Sequence, residues 1–228
     1  MTNLKDYQDK ELRYYLFANI AILLLLLDLF PISQSDNLFQ IIDLVSTFFG
    51  VTLISSTIYI FALIVDSLFG SEIKMLLIGG RSPGSNIFSK IKKGTFDNRF
   101  TYEDAQKIYS KVYDSMPNNK KDRHSYENAE WYKIYNKHRE VTMIIKSNRN
   151  YLLCRDIYFS TIANVLIYLI LTLGFKIIFF DWRYICYLTA MLIFSNIGTR
   201  NKGMRFVCNV IAYDIANNTT KLKENENG

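Results

Sequence analysis

Histidine, cysteine, tryptophan and proline are all scarce in this 228-residue chain, numbering 2, 3, 2 and 3. The histidines, His124 and His138, have neither an HExxH pattern nor a carboxylate cluster around them, which excludes the common helical zinc-hydrolase arrangement. Cys154, Cys186 and Cys208 are odd in number and form no CxxC pair, so neither a disulfide framework nor a zinc ribbon is indicated. They read as small apolar fillers, two of them in or beside apolar runs. Pro31, Pro83 and Pro117 lie in stretches rich in Ser, Asn, Asp or Gly and punctuate the chain as turns. A GxSxG elbow, a Walker loop and a paired DxD metal motif are missing too. No residue is nominated as catalytic, cofactor-binding or metal-binding, and the chain is expected not to be an enzyme.

Apolar residues make up 50% of the chain and are concentrated in blocks. Residues 14–30, 48–68 and 157–180 form nearly uninterrupted runs of 17, 21 and 24 residues, and residues 184–197 a shorter run of 14. A helix needs about 20 apolar residues to cross a hydrocarbon core of roughly 30 Å. The two longest runs meet that length and the first lies at its lower edge. The fourth returns the chain across a thin or locally thinned bilayer. A cleaved signal peptide is the rival reading of the first run. Against it, Asp6, Asp9 and Glu11 crowd what should be a basic region, and no small-x-small site follows Phe30.

Positive charge is distributed unevenly. Residues 31–37 contain no Lys or Arg, and residues 180–183 contain one, whereas residues 70–156 carry 17 Lys/Arg against 10 Asp/Glu, a net +7. By the positive-inside rule both termini and the middle face the cytoplasm, an arrangement that four spans make consistent. The expected fold is an all-α membrane protein with two transmembrane hairpins flanking a small helical cytoplasmic domain. Residues 1–13 form a cytoplasmic tail, 14–69 the first hairpin, 70–156 the basic domain and 157–198 the second hairpin. Residues 199–228 form an amphipathic juxtamembrane helix, whose cations favour anionic headgroups, and a disordered tail.

Within the basic domain, residues 79–85 (Gly-Gly-Arg-Ser-Pro-Gly-Ser) are the clearest breaker and read as a hinge. Their glycines together with Arg81 also suggest an anion cradle. The spacing fits neither known phosphate-loop pattern, and no strand precedes it. Thr101 with Asp104 resembles a capping box and opens a helix to about Asp114. Lys120, Lys121 and Arg123 belong to a solvated charge run, and a second helix is expected from about Ser125. Trp131, Ile134, Tyr135 and His138 share one face of it as an aromatic stripe that packs on the first helix. Interleaved Tyr and Lys/Arg would also suit nucleic acid, but a membrane surface accounts for the same charge.

The apolar runs contain Asn19, Ser55, Ser56 and Asn164, candidates for polar contacts inside a bundle. Arg155 and Asp156 sit at the cytoplasmic mouth of the third run, as a structural pair or a gate latch, and Lys176 near its far end snorkels outward.

The order Pro83 and Phe88, then Trp131-Tyr132 with Tyr135, then Tyr151-Leu152-Leu153 with Arg155-Asp156 entering an apolar run, resembles small four-span membrane proteins of bacterial defence systems. It covers about half of the chain. The resemblance implies a membrane effector or sensor, silent until a partner or small signal engages the cytoplasmic domain.

The leading expectation is thus a homo-oligomeric effector of the bacterial inner membrane, pore-forming or disruptive, gated by its basic domain. The lipid bilayer is one partner, and a soluble protein or small signalling ligand at Arg81, Lys120, Lys121, Arg123, Trp131 and Tyr135 is another. The alternatives are a non-catalytic scaffold recruiting a soluble partner through the Trp131 stripe, and a lipid-active or transport enzyme using residues 79–85.

Overall fold

The computed structural model describes residues 4–26, 49–50, 52–53, 56, 60, 64, 77–78, 82–94 and 97–226. Among these residues all regular structure is helical. The elements are α1 (Leu4–Leu26), α2 (Ile87–Lys92), α3 (Tyr102–Asp114), α4 (Lys120–His138), α5 (Thr142–Leu169) and α6 (Trp182–Glu226), with a π-helical turn, Ile170–Gly174, closing α5. Ser55 and Arg81 lie outside the described residues.

The chain divides into two compact units. One takes Met1–Lys74 and Leu152–Gly198; the other takes Met75–Tyr151 and Thr199–Gly228. Residues 199–226 therefore belong with the basic middle of the chain, within a single 45-residue helix that runs through Gly198 to Glu226. That corrects two expectations. The apolar face of residues 199–217 is not free to lie on lipid, because Phe206, Val207, Val210 and Ile211 are buried in the core of the second unit. The segment from residue 218 to residue 226 is helical, an extension of a helix already anchored by Ile215.

In the second unit local sequence starts the helices and tertiary packing finishes them. Thr101 Oγ1 accepts from the Asp104 amide at 3.2 Å while the Asp104 carboxylate accepts from the Thr101 amide at 3.0 Å, a complete capping box at the head of α3. Helix α4 begins at Lys120, five residues before the expected Ser125, so the charge run forms its first turns. Asn119 explains the difference: its side chain accepts from the Lys121 amide at 3.3 Å and donates to Asp122 at 2.9 Å.

Phe88, Tyr109 and Tyr113 meet edge to face, and Trp131, Tyr135, Tyr151 and Phe206 form a second aromatic cluster. Each fully buried large apolar side chain contributes about 1.5–3 kcal/mol by leaving water. The Trp131 stripe thus packs chiefly on α6 through Phe206, not on the first helix of the domain. Gly84 lets the chain pass directly over that indole, since a Cβ there would lie 2.6 Å from Trp131 Cε3.

In the first unit, α5 begins at Thr142, inside the stretch expected to be domain, and its ordered helix ends at Gly174 instead of residue 180. The Ile177 amide closes back on the Leu171 carbonyl at 3.0 Å, and Lys176 between them has φ 53. Lys176 is therefore a left-handed turn residue past the end of the helix, not part of a span. Thr142–Gly174, which contains an 18-residue window of mean hydropathy 1.8, is the one helix among the described residues that is long and apolar enough to cross a membrane.

This unit exposes much apolar surface. Of the 20 large apolar residues that are exposed among the described residues, 17 belong to the first unit, including Leu166, Ile170, Ile193, Phe194 and Ile197. Its interior is mixed: Leu12, Leu16, Ile20, Phe159 and Leu188 are buried there together with Asn19, Ser160, Thr161, Asn164, Thr172 and Ser195.

Candidate functional site

Helix periodicity places the polar residues of the first unit inward. Asn19 is 1% exposed and Thr161 0%. The Tyr15 and Thr161 hydroxyls meet at 2.7 Å between α1 and α5, and Thr161 Oγ1 also donates to the Ile157 carbonyl at 2.7 Å. The same bonding to the preceding turn occurs at Thr172 and Ser195, at 2.8 and 2.6 Å. Tyr184 of α6 donates to the Asn19 carbonyl at 3.3 Å, so three helices share one hydroxyl-lined interior.

Asn19 Nδ2 is used within α1, donating to the Tyr15 carbonyl at 2.7 Å. Its Oδ1, and Nδ2 of Asn164, are buried without a hydrogen-bond partner. An acceptor and a donor are thus both left open in the interior of this unit. Such groups cost about 1–3 kcal/mol each when desolvated.

At the rim, Arg183 donates to the Leu26 carbonyl at 2.6 Å, satisfying an orphan at the C-terminus of α1 while pairing with Asp181 at 2.8 Å. Arg155 and Asp156 pair with each other at 3.0 Å, both partly exposed, on adjacent positions of α5. Ser56 bonds only one turn back, to the Thr52 carbonyl at 2.8 Å, and is exposed. Asn19 and Asn164 are therefore interior positions of this unit, and Ser56 is not.

Two buried carboxylates organise the second unit. Asp214 Oδ2 accepts from the Tyr109 hydroxyl at 2.6 Å, and Oδ1 accepts from His138 Nε2 at 2.6 Å and Lys137 Nζ at 3.2 Å. Burial pushes this carboxyl upward, but the bonds from Tyr109, His138 and Lys137 outweigh it and hold it below the ordinary carboxylate value. Burial, reinforced by the Asp214 charge, pushes the Tyr109 phenol far above its usual range, so it stays a donor. Tyr109 also carries the non-helical backbone inside α3, φ −110 and ψ 26.

Glu127, 0% exposed, accepts from the Ser89 amide at 3.1 Å and from the Ser89 hydroxyl. Asn86, the residue before α2, makes no side-chain cap, so Glu127 caps that helix from α4. Nearby, His124 Nδ1 donates to the Ser85 carbonyl at 2.6 Å and Ser82 donates to Asn128 at 2.6 Å. These bonds tie the turn at residues 82–86 onto α4.

Of the expected signal surface, Lys120 and Lys121 are exposed and Arg123 is half-buried. Trp131 is only 4% exposed and stacks on Tyr135 at 5.7 Å, itself half-buried. Trp131 is therefore interior, whereas Tyr135 keeps part of its surface exposed. Asp214 and Glu127 were not nominated, although each interrupts an apolar stripe: Asp214 follows Val207, Val210 and Ile211, and Glu127 precedes Trp131 by one turn. A carboxylate on a buried stripe is the signal that would have found them. Among the described residues no group of three or more His, Cys, Asp or Glu side chains is placed to hold a metal ion. Comparison with protein-family models, curated proteins and solved structures returns no match.

Proposed function

We propose that this chain is a multi-pass membrane protein of the bacterial inner membrane whose basic unit controls the packing of its apolar unit, and that the controlled event is loss of the permeability barrier. The single observation that carries it is the apolar surface of the first unit, where 17 large apolar side chains are exposed over an interior that mixes apolar residues with amides and hydroxyls. In water those side chains would drive aggregation, whereas in lipid they are solvated and only the backbone and polar groups need internal partners. The two-hairpin, four-span topology belongs to this proposal, as do the cytoplasmic termini and assembly into homo-oligomers.

The open Asn19 Oδ1 and Asn164 Nδ2 give the mechanism its driving force. A repacked bundle, or a second copy, that satisfies them is favoured once a signal on the basic unit offsets the cost of rearrangement. The shift is no larger than the signal's differential affinity for the two packings. A role in bacterial defence rests on the resemblance carried by residues 83–156.

Induced expression with dye-influx and membrane-potential readouts tests the proposal. The expected result is depolarisation that Asn164→Leu changes without lowering membrane-fraction yield. Full recovery of the chain in a detergent-free soluble fraction, or unchanged potential in the presence of its natural trigger, refutes it.

A further inference from the structure

A cavity of about 320 Å³ lies within the second unit, lined by Ser82, Asn86, Lys90, Tyr151, Arg200 and Gly203 among others. That volume is at the small end of ligand sites, which run roughly 300–1,000 Å³. Among the described residues its walls contain two cations, three hydroxyls and an amide, and no carboxylate. The two cations of the described lining, the exposed Arg200 and the half-buried Lys90, favour an anion over a cation there.

The side chains are held in place. Arg200 Nε donates to the Ile78 carbonyl at 2.9 Å, which fixes the plane of the guanidinium by one edge. Lys90 Nζ lies 3.9 Å from Met204 Sδ on the same wall. Tyr151 stacks on Phe206 and lies against Gly203, where a Cβ would come within 3.1 Å of its ring. A planar, pre-oriented fork beside a point charge is the pairing that suits a tetrahedral oxyanion.

The lining also has a position in the chain. Tyr151 is the last residue of one segment of this unit, Thr199 and Arg200 open another, and Ile78 follows the start of the segment at Met75 by three residues. The wall is thus drawn from both sequence segments of this unit.

We propose that this cavity binds a phosphate monoester or diester, with Arg200 and Lys90 as its ligands and Ser82, Asn86 and Tyr151 as hydrogen-bonding neighbours. That the phosphate is an anionic lipid headgroup rests on the membrane reading above. The binding chemistry itself does not.

The full-length chain in nanodiscs of pure phosphatidylcholine provides the test, by thermal unfolding and by direct titration. The probes are inorganic phosphate, glycerol 3-phosphate, and discs doped with phosphatidylglycerol. A raised unfolding temperature with any of these supports the site. Doped discs alone assign it to lipid, and the soluble probes assign it to a free phosphate.

The double variant Lys90→Gln/Arg200→Gln should weaken apparent affinity by about tenfold or more. Arg205→Gln, an exposed cation on the same helix outside the cavity, should leave it unchanged. If the double variant fails to fold, Gly203→Ala, which crowds the Tyr151 ring, should weaken binding on its own. No shift with any phosphate-bearing probe, or equal affinity in wild type and the cavity variants, overturns the proposal. The leakage measurements read the membrane proposal separately, so the two stand or fall apart.

Discussion

His138 Nε2 donates to Asp214 Oδ1 across 2.6 Å, joining positions 76 residues apart and locking the end of α4 onto α6. Because the carboxylate only accepts, the proton sits on Nε2 in this pair. The Tyr109 hydroxyl completes the lock from α3. The folded Asp214 carboxyl is held below its ordinary value, so its contribution is fully present above the unfolded-state value, near pH 4, and is lost as pH falls through the folded value. Thermal unfolding of the wild type should therefore weaken below about pH 4, and Asp214→Asn should flatten that part of the profile. At neutral pH the same substitution should cost about 3 kcal/mol, because the amide turns a donor toward donors.

Glu127 anchors a helix that its own sequence leaves uncapped. Glu127→Ala strands the Ser89 amide and hydroxyl in the core and should destabilise the second unit by about 2–3 kcal/mol in chemical denaturation. Glu127→Gln keeps an acceptor in place and should lose less. Equal losses in the two variants would mean that packing, not the cap, is what the side chain supplies.

Gly84 is required by the indole beneath it. Gly84→Ala should cost about 1–3 kcal/mol, since its Cβ would fall 2.6 Å from a ring atom that neighbouring aromatics prevent from moving. Trp131→Ala should cost about 3–5 kcal/mol by the cavity it leaves. Partner loss in that variant would report unfolding, so circular dichroism must accompany any co-purification experiment.

The cysteines report the environment of each unit. Cys208 is buried, and its thiol is pushed up to about 12 by burial and by the Asp97 charge, so it should stay inert to maleimide until unfolding. Cys186 is exposed. In intact membrane vesicles it should resist a charged, membrane-impermeant maleimide and react after denaturation. Rapid labelling in vesicles without denaturant would place that face in water.

Much of the fold was legible where local chemistry is self-sufficient. The capping box at Thr101 and Asp104 needs only four residues, and α3 runs from Tyr102 to Asp114 as that spacing predicts. The start of α4 was missed because Asn119 caps it ahead of a charge run that reads as loop. The continuity of α6 was missed because an apolar block followed by a basic one suggests two elements. Helical bonds are blind to that change in polarity, and Gly198 is kept helical by its neighbours on both sides.

Composition and patterning alone determined that the described elements are helices, that apolar side chains come in blocks, and that the middle is basic. Those properties depend on neighbours within a few residues. Tertiary structure alone decided that residues 199–226 complete the basic unit, that Trp131 is interior, and that Asp214 and Glu127 are buried among distant partners. The reason is distance along the chain: the partners of Asp214 lie 76 and 105 residues away, and only the folded packing selects which of many equivalent side chains meet.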